Sequence, residues 1–86
     1  MRWEVLYSPA ARAWIKGAEA PVADMIVRKL ESARENPDHF FERLAELPYY
    51  KLRVGDYRVI ADLQEKIQII AVLRVGHRKK VYREIG

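Results

Sequence analysis

Cysteine is absent from the 86 residues, which excludes a disulfide framework, thiolate metal ligation and a cysteine nucleophile. The four glycines lie singly, so there is no glycine-rich loop to cradle a phosphate. Serine occurs only at Ser8 and Ser32, and both positions read as parts of helices rather than nucleophiles. His39 and His77 are the only histidines. Neither has histidine or carboxylate neighbours at ligand spacing, so no metal and no cofactor is expected. The longest apolar stretch, Ile67 to Leu73, is broken by Gln68 and falls far below the ~20 residues of a membrane span. The opening Met1-Arg2-Trp3-Glu4 lacks the apolar segment of a signal peptide. These absences predict a soluble cytoplasmic protein, without membrane association, in which residues 1–86 form a single domain.

Charge is present and uneven. Up to Pro48 there are seven Lys/Arg against eight Asp/Glu, a net −1; from Tyr49 onward there are nine against four, a net +5. Arginine outnumbers lysine ten to six, and its planar fork suits bidentate phosphate recognition. A basic half in so small a chain is an electrostatic footprint for nucleic acid; the plain alternative is a solvated basic surface.

Arg2 to Tyr7 alternates in polarity, which predicts a strand. Ser8-Pro9 reads as an N-cap followed by proline at the first helical position. The spacing then predicts a short helix to Lys16 on an Ala10/Ala13/Trp14 stripe, ended by Gly17. A second helix from Pro21 carries Val22, Met25, Ile26, the Lys29 stem, Leu30 and Ala33 on one face. It should stop at Asn36, because Pro37 disfavours helix before it. Asp38 to Leu47 reads as one or two irregular helical turns that hold Phe40, Phe41, Leu44 and Leu47 on the core. After Pro48 the period becomes two. Tyr49–Val54, Tyr57–Asp62 and Lys66–Val75 are three successive strands. Turns at Gly55-Asp56 (the type II′ pattern) and Gln64-Glu65 join them. The last strand, apolar on both sides, should be central and covered on both faces. The class is α+β: an N-terminal strand, a helix hairpin, then a three-stranded antiparallel meander.

The tight turn pairs Val54 with Tyr57, Arg53 with Arg58, Leu52 with Val59 and Lys51 with Ile60. Lys51, Arg53 and Arg58 then share the face away from the helices, with two arginines directly opposed. Such like-charge pairs are destabilising, and an anion resolves the conflict. Asp62 or Glu84 as a structural ion-pair partner of Arg58 is the competing explanation. Arg74, His77, Arg78, Lys79, Lys80 and Arg83 follow, interleaved with Tyr82. Cations with a ring match a single-stranded nucleic-acid site, although a basic terminus is more often simply solvated. No paired carboxylates are expected near this surface.

Two runs together carry a resemblance. Tyr50-Lys51-Leu52-Arg53-Val54-Gly55-Asp56-Tyr57-Arg58-Val59-Ile60, then Val75-Gly76-His77-Arg78-Lys79-Lys80-Val81-Tyr82, resemble the RelE branch of the RelE/ParE toxin superfamily. The resemblance implies a toxin that enters the ribosomal A site and cuts messenger RNA. It implies catalytic roles for Lys51, Arg53, Arg58, Arg78 and Tyr82, and RNA-binding roles for Arg74, His77, Lys79, Lys80 and Arg83. In such a site the substrate's 2′-hydroxyl attacks the adjacent phosphate, arginines stabilise the phosphoryl oxygens, and Tyr82, His77 or Lys51 takes the proton. Tyr82 lies closer to the last arginine than in the best-known members, which keeps His77 open as the base. The implied partners are the ribosome, messenger RNA and a RelB-like antitoxin with an acidic helical segment, in a hetero-oligomer. Alternative functions on the same fold are a ParE-like gyrase inhibitor and a non-catalytic RNA-binding module.

Overall fold

The computed structural model describes residues 2–83. In chain order these form β1 (Glu4–Tyr7), α1 (Pro9–Gly17), α2 (Ala20–Ala33), α3 (Pro37–Phe40), β2 (Phe41–Arg43), β3 (Tyr50–Val54), β4 (Tyr57–Gln64), β5 (Ile69–His77) and a 3₁₀ turn (Val81–Arg83). The strands make one sheet in the order β1-β5-β4-β3-β2. β1 runs parallel to β5 and the other neighbours are antiparallel. The α+β class and the meander are as the periodicity predicts.

Ser8 does two jobs at the first junction. Its Oγ accepts from the Ala11 N–H (3.0 Å), capping α1, and donates to the Leu73 carbonyl (2.7 Å). Leu73 is the bulged residue of β5: Ile60 pairs with Arg74 and Ala61 with Val72, leaving Leu73 without an opposite number. A bulge leaves a residue unpaired in the ladder, and the Ser8 hydroxyl satisfies its carbonyl. Within α1, Ala11 is buried and Trp14 and Ile15 pack on the core, while Ala13 faces out. The stripe therefore sits one residue further along the helix than the predicted one.

α2 ends at Ala33, before Asn36. The Arg34 carbonyl is taken by the Trp3 N–H (2.9 Å), and Arg34 Nε donates to the Trp3 carbonyl (2.7 Å). The N-terminal segment thus claims the groups that a longer helix would need. Ile26, Leu30 and Ala33 are buried as predicted, but Met25 is 41% exposed.

Residues 38–47 depart most from expectation. A single turn, α3, gives way to the edge strand β2, with Phe41 beside Leu52. Three residues of which two are charged show no alternation, so only the buried Phe41 marks the strand. At the other turn, Gln68 takes φ +53°, and β5 begins at Ile69. Ile67, predicted inside the strand, lies before it and is 63% exposed. β5 is flanked by β1 and β4, but only one face is fully covered: Ile70, Val72 and Val75 are buried, Ile69 and Ala71 half-buried.

All the helices lie on one side of the sheet, over Leu52, Val54, Val59, Ala61, Ile70 and Val72. On the other side Ile60 and Val81 are also fully buried, outside that core. A Cβ on Gly76 would lie 3.3 Å from the Val81 Cβ, so a bare position in β5 lets the C-terminal 3₁₀ turn fold down onto this second face. Burial, and secondarily the Glu31 carboxylate, push the Tyr7 phenol above its ordinary pKa.

Ser8→Ala should destabilise the fold by about 1–3 kcal/mol, combining a lost cap with a carbonyl left unpaired. Ser8→Gly should cost nearly as much in chemical denaturation. Glycine replaces a cap at a loss of only a few tenths of a kcal/mol, so a mild Ser8→Gly would show that the Leu73 bond contributes nothing.

Candidate active site

The hairpin tip organises the basic residues. Gly55 adopts φ +57°, a left-handed conformation that glycine reaches without steric penalty, and the two-residue turn fixes the register. Arg53 pairs with Arg58 and Lys51 with Ile60, as the turn chemistry predicts. On the other edge of β4, Arg58 pairs with Gly76 and Ile60 with Arg74. Because side chains alternate across a strand, the face away from the helices carries two rows. One is Lys51–Ile60–Arg74; the next is Arg53–Arg58–Gly76.

Both carbonyls of the turn are used. Arg58 Nη1 donates to the Gly55 carbonyl (2.9 Å) and to the Tyr57 carbonyl (2.7 Å), which ties the guanidinium to the hairpin tip. The Arg78 N–H donates to the Asp56 carbonyl (2.9 Å), which anchors the basic tail beside the same turn. Lys79 and Lys80 follow in an exposed turn closed by Lys80 N–H to the His77 carbonyl (2.8 Å). Tyr82, 37% exposed, and Arg83 ride on the 3₁₀ turn that Val81 seats against Gly76.

His77 goes elsewhere. It pairs with Tyr57, its ring meets the Tyr57 ring edge-on at 5.9 Å, and Tyr57 in turn meets Trp14 at 5.6 Å. His77 therefore lies on the helix side, with the sheet between it and Lys51, Arg53 and Arg58. Its Nδ1 accepts the Lys79 N–H (3.2 Å), so it shapes the tail rather than facing the basic rows. The reason is the strand period: with Gly76 on one face, residue 77 must point to the other.

Carboxylates are nearer than expected. β2, invisible in the pattern, sets Glu42 directly beside Lys51 on the basic face. Asp62 shares that face two residues beyond Ile60, but it bonds Gln64 (3.2 Å) and not Arg58; Glu84 lies outside the described residues. Three carboxylates of the first half are engaged with their own arginines: Arg2–Glu35 (3.2 Å), Arg28–Asp24 (2.9 Å) and Arg34–Glu31 (2.8 Å). What remains is a cationic floor backed by buried Ile60 and Val81, chemically suited to an anion with several oxygens. No cluster of metal-ligating side chains occurs among the described residues, and no helix there is long and apolar enough to cross a membrane.

Residues 5–82 match the sequence model of the family described as the ParE toxin of type II toxin-antitoxin system, parDE. No curated protein sequence matches the chain. Among solved structures, the fold is similar to a chain of the RelBE2 toxin-antitoxin complex from Mycobacterium tuberculosis, with a TM-score of 0.80 at 18% identity over 91% of this chain and 100% of that one. It is similar also to the archaeal RelE-RelB complex from Pyrococcus horikoshii, at a TM-score of 0.77 and 19% identity over 94% and 100% of the two chains. A third match is the intact E. coli RelBE toxin-antitoxin complex, at 0.74 and 21% over 87% and 95%. At these identities the likeness is one of fold.

The geometry separates the two opposed arginines. Among the described residues Arg53 makes no bond that offsets the repulsion, whereas Arg58 is tied to two carbonyls. Arg53→Thr should therefore raise stability by ~0.2–1 kcal/mol, with the larger gain in dilute buffer, where exposed charges are least screened. Arg58→Thr should bring no gain, since the loss of its hydrogen bonds offsets the relieved repulsion. Thermal melts of both variants at two salt concentrations give the comparison; equal gains would mean that the Arg58 bonds carry no weight.

Proposed function

The chain belongs to the ParE toxin family of type II toxin-antitoxin systems, within the RelE/ParE superfamily, and we propose that it is a ribosome-dependent endoribonuclease that cuts messenger RNA in the A site. The observation that carries this reading is the pair of cationic rows joined to Arg78 at one hairpin turn. RNA cleavage by internal attack needs no metal and no covalent intermediate with the protein. The 2′-hydroxyl attacks the adjacent phosphorus, the P–O5′ bond breaks, and the products are a cyclic phosphate and a free 5′-hydroxyl.

The chain's side chains divide that work. Arg58 and Arg78 supply the two guanidinium groups that bracket the phosphoryl oxygens as charge develops. Lys51 and Arg53 extend the same field along β3. Tyr82, carried on the turn above Gly76, relays the proton, accepting it from the 2′-hydroxyl as its own phenolic proton passes to the leaving 5′-oxygen. Arg74, Lys79, Lys80 and Arg83 hold neighbouring phosphates, and His77 contributes by fixing the Lys79 backbone. The ribosome supplies the orientation of the RNA, which places the reaction in the cytoplasm.

The solved relatives are toxin-antitoxin complexes, and this chain is proposed to be held in the same way. A RelB-like antitoxin would lay an acidic helical segment over the basic face, forming a hetero-oligomer. A second reading has specific support: the matching sequence model is that of ParE toxins, and gyrase inhibition on this fold would need no nuclease chemistry. Primer extension on messenger RNA from translating ribosomes, run beside a gyrase supercoiling assay, separates the two readings from each other and from a non-catalytic RNA-binding module.

Arg78→Ala is the decisive variant. The backbone bond to Asp56 does not involve the side chain, so the fold should persist. Cleavage in the primer-extension assay should fall by about 10²–10³, the usual loss for one donor to a developing oxyanion. Near-normal cleavage by the folded variant would remove Arg78 from the site.

A further inference from the structure

We propose that the cleft between α2, α3 and the tip of the β3–β4 hairpin is a second RNA subsite, which holds a nucleotide flanking the scissile bond; the proposal rests on the ribonuclease reading above. The cleft has a volume of about 480 Å³ and is lined by Lys29, His39, Phe40, Arg53 and Gly55, within the ~300–1,000 Å³ range of small-molecule sites. Its described lining has three nitrogen-bearing side chains, two rings (His39 and Phe40) and no carboxylate. Phe40, packed against the core, positions its neighbours: the Lys29 ammonium sits 5.9 Å from its centroid and the His39 ring meets it edge-on at 5.4 Å. The cation–π contact keeps Lys29 at the cleft. Arg28, one residue earlier, is ion-paired with Asp24 and does not line this cleft.

Arg53 joins this cleft to the proposed active site. It belongs to the Arg53–Arg58–Gly76 row and also lines the cleft. Gly55 is shared as well, since its carbonyl holds Arg58 while its backbone forms part of the cleft wall. A strand whose phosphate is bound by Arg58 and Arg53 can therefore continue over the hairpin tip into the cleft. There Lys29 meets the next phosphate and the exposed His39 ring offers a face for a base. Cations that follow the backbone, with a ring for stacking, are the elements of sequence-tolerant single-strand binding. An acidic protein segment would use the cations but not the ring.

The test uses the full chain and 2′-O-methyl RNA, which lacks the attacking hydroxyl. Anisotropy titrations over a range of salt would compare a trinucleotide with an oligomer of about eight nucleotides, long enough to span a single-strand site. The Lys29→Gln/His39→Gln variant alters two exposed residues and should melt like the wild type. On the longer RNA its slope of log K against log salt should be shallower by about 0.7 for each phosphate that is no longer neutralised, with the trinucleotide slope unchanged; Arg58→Ala should weaken both RNAs. Wild-type slopes for the variant, with Arg58→Ala still weakened, would overturn the subsite and leave the ribonuclease reading standing. RNA binding that is absent, or indifferent to Arg58→Ala, would overturn the subsite, and absence of cleavage in the primer-extension assay would overturn the ribonuclease reading. Reduced antitoxin affinity of the variant with unaltered RNA slopes would overturn the subsite and assign the cleft to the antitoxin.

Discussion

Two carbonyl oxygens at one hairpin turn hold the basic surface together. Gly55 accepts from the Arg58 side chain and Asp56 from the Arg78 backbone, so residues twenty positions apart in sequence are fixed to adjacent atoms. Neither bond would form in another register. A slip of one residue in this hairpin would send Arg53 and Arg58 into the core and Leu52 and Val59 into water. The burial of Leu52 and Val59 therefore enforces the position of the arginines between them, and the apolar side of the sheet is the energetic guarantor of the polar side.

That arrangement concentrates charge instead of dispersing it. Asp24, Glu31 and Glu35 are paired with Arg28, Arg34 and Arg2, in the first half of the sequence and away from the cationic rows. Asp62, on the basic face itself, is turned to Gln64. Self-repulsion of this kind lowers the stability of a compact state, and in a small chain with a thin core it consumes a meaningful share of the margin. A polyanion bound there would relieve it, whether RNA or an acidic antitoxin segment.

The parts legible from the sequence were those governed by local rules. The Ser8 cap, the Gly55 turn, the register it dictates and the gathering of Lys51, Arg53 and Arg58 on one face all follow from short-range chemistry. What escaped depended on partners distant in sequence. β2 is a strand because Leu52 offers Phe41 a neighbour, not because its three residues alternate. The early end of α2 is set by Trp3, the bulge at Leu73 by Ser8. His77 belongs to the basic run in sequence and to the aromatic side in space, through the strand period alone. The Lys29–His39–Phe40 cleft joins three elements, and no spacing along the chain reports it.

The pairing of β1 with β5 carries a consequence for the order in which the protein comes into being. Glu4 to Tyr7 lie against Ile69 to Val72, and the Ser8 hydroxyl closes on Leu73, 65 residues away. Contacts of such long range form late, after the loop between them has closed. During synthesis the N-terminal strand has no partner until the far end of the chain has emerged, and Gly76, Arg78 and the Val81 turn emerge later still. The two cationic rows are therefore completed only once β5 and the residues after it have joined the sheet. The Arg53–Arg58 hairpin can form early by itself, but Gly76 and Arg78 join it only in the last stage of assembly, together with the closure of β1 on β5.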